Sequence, residues 1–279
     1  MSAAASVIAG LNTAANALCA FAFAPVAVLP AWLSLTLISA VLGVVIFVMF
    51  MFTANRKAFS AVIDKIAASI LAVFLFRDNI RVTMRSEARL LACSVRLLWH
   101  SLVPVLIMSV PLVFVLAQMA AWYQYRPPVP GSETVLVRMQ LQEPAGQWPE
   151  IGIENSAAVR VVTGPVRVFS RGEAYWEIEP LQPGEHELAF RVGGRAYAKT
   201  FGAGEGFMRL NPKRSSGWAD LLLFPLEKPL PDDAPVRSIQ IDYPSRASRL
   251  YGTDWWVLYF CIASMVCALL SKPFIKIRA

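Results

Sequence analysis

Apolar residues fall in long unbroken runs in the first half of the chain and near its C-terminus, whereas between Tyr123 and Asp254 they alternate with polar ones in short stretches. Long runs suit helices in a bilayer, and alternation suits strands with one face in a core. Residues 32–54 are 23 consecutive uncharged, mainly apolar positions that follow Pro30. As a helix they measure about 35 Å, enough to cross a hydrocarbon layer of roughly 30 Å. Residues 97–123 predict a second transmembrane helix, with Trp99 near one end and Trp122 and Tyr123 at the other, where amphipathic rings favour the water interface. Residues 255–271 predict a third, short one, which Lys272 lengthens by snorkelling. The stretch from Phe59 to Phe76 is interrupted by Asp64 and Lys65, and its apolar residues recur at three- and four-residue spacing. That pattern predicts a helix lying at the interface or packed on a neighbour. The apolar N-terminal segment, residues 1–31, predicts a short helix on the outer membrane surface, ended by Pro25 and Pro30. It lacks the basic start of a secretory signal, so retention is expected despite the cleavage-like pattern at Ala20 to Ala22. Leu18 is too bulky for Cys19 to serve as a lipoprotein cysteine.

Charge then sets the orientation. No charged side chain precedes Arg56, and residues 55–96 carry eight Lys and Arg against three acids. The tail 272–279 adds Lys272, Lys276 and Arg278 with no acid, while residues 124–254 hold 15 basic and 16 acidic groups. Residues 55–96 and the tail therefore carry +8, against −1 for residues 124–254, which makes the net +7, and the positive-inside rule places both basic segments in the cytoplasm. The expected protein is a multi-pass membrane protein, with its N-terminus outside and its C-terminus inside. A hydrophobic share of 56% against 16% charged excludes an ordinary soluble domain.

Residues 124–254 predict the outer domain. Pro127, Pro128, Pro130 and Gly131 make a stiff exit from the second span, and strand-like runs follow: ETVLVRMQL, AAVRVVT, VRVFS, AYWEIEP, EHELAFRV, RAYAKTF and VRSIQIDYP. Gly193 and Gly194 read as a hairpin turn between the fifth and sixth. Seven short antiparallel strands predict an immunoglobulin-like sandwich, with a barrel as the alternative. Trp176, Ile178 and Phe190 are the candidate core. The domain contains no cysteine, so no disulfide can staple it. WADLLLFP, Trp218 to Pro225, reads as a buried strand or turn, or else as a segment resting on the membrane.

The chemistry is sparse. His100 and His186 belong to no catalytic triad or metal spacing, and no phosphate loop or dinucleotide fingerprint occurs, so no enzyme, cofactor, metal or specific nucleic-acid site is expected. Glu173, Glu177 and Glu179 alternate on one strand and read as a solvated acidic face. Arg77, Arg81, Arg85 and Arg89 recur every four residues and form a basic stripe on one helix. The stripe serves topology and anionic headgroups, or it contacts an acidic partner such as a nascent chain, ribosomal RNA or a soluble protein. Pro104 and Pro111 each remove a backbone donor from the second span. With His100, Ser101, Ser109 and Gln118 on the same run, this face is either a simple kink or one wall of a partly hydrated groove.

Four stretches, TANRKAFSAVIDKIAASILAVFLFRDN, YRPPVPGSETVLV, SIQIDYPSR and DWWVLYFCIASMVCALLSKPF, resemble a family of bacterial inner-membrane proteins. That resemblance implies the architecture and carries no activity. In topology the chain is also similar to the YidC-type insertase superfamily: an outside N-terminus, one span, a cytoplasmic helical hairpin and two further spans. This likeness implies insertion of membrane proteins through a shallow, positively charged groove. The chain departs from it in the domain between its second and third spans and in having no arginine within a span, with Arg56 and His100 only at span ends. The expected partners are membrane lipids with nascent membrane proteins, or envelope proteins bound by the outer domain of a non-catalytic scaffold.

Overall fold

The computed structural model describes residues 3–23, 29–53, 56–75, 80–142, 148–154, 156–246 and 255–273. Its helices are α1 (Ala3–Phe23), α2 (Ala31–Thr53), α3 (Arg56–Leu75), α4 (Ile80–Tyr123), the short α5 (Trp218–Leu223) and α6 (Trp256–Ser271). Both α2 and α4 are long and apolar enough to cross a membrane, and α6 is a shorter apolar helix of 16 residues. Pro30 launches α2: its carbonyl accepts from Leu33 and Ser34 at 3.0 Å. The second half of the basic segment and the second apolar run form one helix of 44 residues, about 66 Å long. No glycine or proline lies between Ile80 and Pro104 to interrupt it. Pro104 and Pro111 sit inside this helix without ending it.

The chain divides into two compact units, residues 1–36 with 113–260 and residues 37–112 with 261–279. The first contains a β domain of antiparallel strands: β1 (Val135–Leu141), β2 (Ile151–Ile153), β3 (Val159–Val168), β4 (Glu173–Pro180), β5 (Gly184–Val192), β6 (Arg195–Ala203), β7 (Lys213–Ser215) and β8 (Val236–Asp242). Five strands pair in the order β3-β4-β1-β8-β7 and three in the order β2-β5-β6. Alternation explains the core. Val135, Val137 and Met139 of β1 point inward, as do Trp176 and Ile178 of β4 and Leu188, Phe190 and Val192 of β5. The Trp176 and Phe190 rings meet edge to face at 5.9 Å, joining the two sheets. Gly193 and Gly194, both at positive φ, turn β5 into β6 with Val192 opposite Arg195.

Four elements differ from the sequence expectation. AAVRVVT and VRVFS are one strand, β3, because Gly164 and Pro165 make an irregularity inside it instead of a turn. Gly164 has φ 124°, and a Cβ there would lie 2.7 Å from the Tyr175 carbonyl, so only glycine fits. The short strands β2 and β7 carry too few residues to show alternation. WADLLLFP supplies α5, a six-residue helix that buries Leu221 while leaving Trp218 and Leu223 exposed. Its docking partner is α1, whose Asn12 and Asn16 amides donate to the carbonyls of Leu221 and Pro225 at 2.7 and 2.8 Å.

In the second unit α2 and α6 touch closely: a Cβ on Gly43 would stand 2.7 Å from the Cα of Ser264. Small residues permit this approach of two helix backbones.

Candidate functional site

Of the arginine stripe, Arg81, Arg85 and Arg89 lie on α4, with Arg85 and Arg89 exposed. Arg77 and the side chains of Arg81 and His100 lie outside the described residues. Pro104 is buried and Pro111 half-buried on the same helix. The groove expectation centres on this part of α4, and the second unit has a cleft there of about 400 Å³. Gly43, Phe47 and Phe50 of α2, Val105, Met108 and Ser109 of α4, and Ser264 and Met265 of α6 line it. The Ser109 and Ser264 hydroxyls donate to Leu106 and Cys261 carbonyls on their own helices, at 2.7 and 3.1 Å. The lining side chains are uncharged and mainly apolar, so the cleft presents a greasy surface.

Gln118 belongs to a different place. It is 1% exposed, and its amide nitrogen donates to the Asn16 side-chain oxygen at 2.7 Å. Arg209, from the loop between β6 and β7, donates to the side-chain oxygens of both Asn16 and Gln118. A guanidinium is thus held by neutral amides, its Nε buried without a partner, and burial pushes its pKa down. The same loop is joined to α4 where Leu210 donates to the Ala121 carbonyl at 2.9 Å. Around it Phe23 stacks on Trp122, Trp122 on Phe207, and the Arg246 guanidinium lies 4.9 Å over the Phe207 ring. Tyr123 and Ser34 share a 2.9 Å hydrogen bond between α4 and α2. This collar ties the β domain to the ends of α1, α2 and α4. The sequence signal for it was present but faint: Asn12 and Asn16, four apart, are polar positions on one face of an otherwise apolar helix.

A second missed cluster lies within the β domain. Lys199 of β6 is fully buried, pairs with Glu227 and donates to the Asn211 carbonyl at 2.6 Å. The Asn211 amide in turn donates to Glu227 at 3.0 Å. Burial pushes the Lys199 ammonium pKa down, and Glu227 opposes that shift. Of the strand carboxylates, Glu173 accepts from Tyr175, Glu177 from Thr134 and Thr163, and Glu179 from Arg160. The solvated acidic face expected from the sequence is therefore not formed: Glu173 is buried, and Glu177 and Glu179 are half-buried against these neighbours. Among the described residues, no three His, Cys, Asp or Glu side chains gather as metal ligands. No protein-family model, curated protein or solved structure matches the chain.

Proposed function

We propose that this is a multi-pass inner-membrane protein of the YidC insertase or chaperone type, with α2, α4 and α6 as spans, α3 and the start of α4 as its basic cytoplasmic helical segment, and an immunoglobulin-like sandwich outside. The observation that carries this reading is the open cleft among α2, α4 and α6. Its lining on α2 and α6 falls in the C-terminal halves of both helices, which lie toward the cytoplasm in the orientation expected from charge. There the cleft offers a groove against which one face of an apolar segment arriving from the ribosome side packs. The exposed Arg85 and Arg89 lie toward the N-terminal end of α4, where an incoming acidic or polar flank meets positive charge first. The uncharged lining departs from the positively charged groove of that superfamily, so the substrates that fit are apolar segments with short, weakly polar translocated ends. Reconstitution into lipid vesicles tests this. A newly synthesised single-span protein with a short outer tail gains protease protection in vesicles containing the chain, and equal protection in empty vesicles overturns the reading.

A second reading rests on β3. Val162 and Val166 of β3, the edge strand of the five-stranded sheet, and Phe169 just after it are 48%, 53% and 64% exposed, an apolar rim fit for an envelope protein. Pro165 and the irregular register within β3 oppose simple strand addition, so the rim offers side-chain contacts. Replacing Val166 and Phe169 by glutamate releases such a partner in pull-downs and leaves insertion unchanged.

A further inference from the structure

Five residues of α4, Val113, Leu116, Ala117, Ala120 and Ala121, with Gln124 just beyond its end, recur at three- and four-residue spacing along one wall of a cavity of about 330 Å³. Its other walls are the loop Leu210 to Pro212, the end of α5 from Leu223 to Pro225, and Trp256 with Val257 of α6. From Val113 to Gln124 the helix rises about 16 Å, so the cavity is a slot with a mean cross-section of about 20 Å². A helix, at least 10 Å across, needs about four times that section. One extended hydrocarbon chain has the right girth.

The slot is also polarised. Its lining is apolar along Val113 to Ala121, and its polar side chains, Gln124, Tyr125 and Asn211, gather at the end nearer the β domain. Arg246, which is not itself part of the lining, donates to the carbonyl of the lining residue Tyr125 at 3.2 Å and to that of Gly206 at 3.3 Å, so its charge stands beside that end. The aromatic residues Trp122 and Tyr123 mark the interface level beside it. An occupant therefore needs an apolar tail of three helical turns and a polar, anionic head level with the end of α4. Within the membrane reading above, on which this rests, the molecule of that description at that depth is an outer-leaflet lipid.

We infer that the slot holds one acyl chain of an outer-leaflet phospholipid, with its phosphate toward Arg246. The bound chain fills space between α4, α5 and α6 and steadies the β domain on its helices. It is a structural lipid, separate from the substrate cleft of the second unit.

The test uses the full chain in vesicles of phosphatidylglycerol and phosphatidylethanolamine containing a phospholipid with a photoreactive group midway along one acyl chain. After illumination, adducts are mapped by peptide mass spectrometry. The slot predicts adducts at Leu116 and Ala120 that persist after washing into lipid-free detergent, whereas adducts at the exposed Leu106 disappear when washing precedes illumination. Ala120→Trp fills the slot and lowers the persistent adducts about tenfold or more, the equivalent of at least 1.4 kcal/mol in affinity. If that variant does not fold, the washed parent protein still decides. Persistent adducts absent from Leu116 and Ala120, or spread equally to Leu106, overturn the inference. Adducts at Leu106 before washing report membrane insertion itself, so failure of the slot and failure of the membrane reading are told apart.

Discussion

Replacing Glu227 by leucine leaves the Lys199 ammonium buried without its countercharge. Lys199 is 0% exposed, and its remaining partners are the Asn211 carbonyl at 2.6 Å and the Thr200 carbonyl at 3.4 Å. Removing one partner of a buried pair costs about 3–5 kcal/mol, because the remaining charge keeps its desolvation penalty. With a urea slope near 2 kcal/mol/M, that moves the unfolding midpoint of the β domain down by about 2 M. The double variant Lys199→Met with Glu227→Leu removes both charges and recovers part of the loss, leaving about 1–3 kcal/mol for the unpaired Asn211 groups. The sign of the pH effect follows from the same geometry. Burial lowers the folded-state pKa of Lys199 below its ordinary 10.5, so between that lowered value and 10.5 the unfolded chain binds more protons and stability rises with pH. Loss of Glu227 removes the opposing attraction and widens the window over which stability climbs, whereas the double variant loses it. Pulse proteolysis of the full chain in detergent, across urea concentrations and pH values, measures all three proteins. A single variant less than about 1 kcal/mol below the parent, or a double variant less stable than the single, refutes the reasoning.

Gly43→Val drives side-chain atoms into the Ser264 backbone, and the overpacking lowers stability by more than the usual 1–3 kcal/mol, seen as loss of folded protein in detergent chromatography, while Ser264→Ala is tolerated. Glu133, hydrogen-bonded by Arg126 at 2.7 Å on both oxygens, has its pKa lowered to about 2; its contribution is complete above the ordinary 4.5 and disappears as pH falls through 2. Melting curves of the parent and Glu133→Gln therefore converge between those values. Lysine at Arg77, Arg81, Arg85 and Arg89 preserves orientation but lowers crosslinked-partner yield if guanidinium forks grip carboxylates or phosphates; unchanged yield assigns the stripe to headgroups.

The strands were legible because their burial is local and alternating. β1 lies within the stretch expected for it, and Trp176, Ile178 and Phe190 are buried as their positions in the pattern require. The two long apolar helices were legible for a similar reason: length and hydropathy are properties of one segment. Lys199 was missed although the pattern pointed to it, since it sits between the inward Tyr197 and Phe201 on the same face of β6. Its partner Glu227 is 28 residues away in a loop, and no local rule connects them. The collar was less accessible still: Arg209 meets Asn16 across 193 residues of sequence, through a loop with no periodicity of its own. Gln118 was singled out as part of a groove because its position on α4 was readable, but the amide and guanidinium that occupy it were not.

Site-specific photocrosslinking from the cleft to a nascent chain tests the insertase reading most directly. A photoreactive amino acid at Phe47, Met108 or Met265 lines the cleft, and one at Leu106 faces away from it as an exposed control. With ribosome-bound intermediates of a single-span membrane protein, the account predicts adducts between the apolar segment and the three cleft positions that vanish when the chain is released and inserted. Adducts to lipid alone at all four positions contradict it.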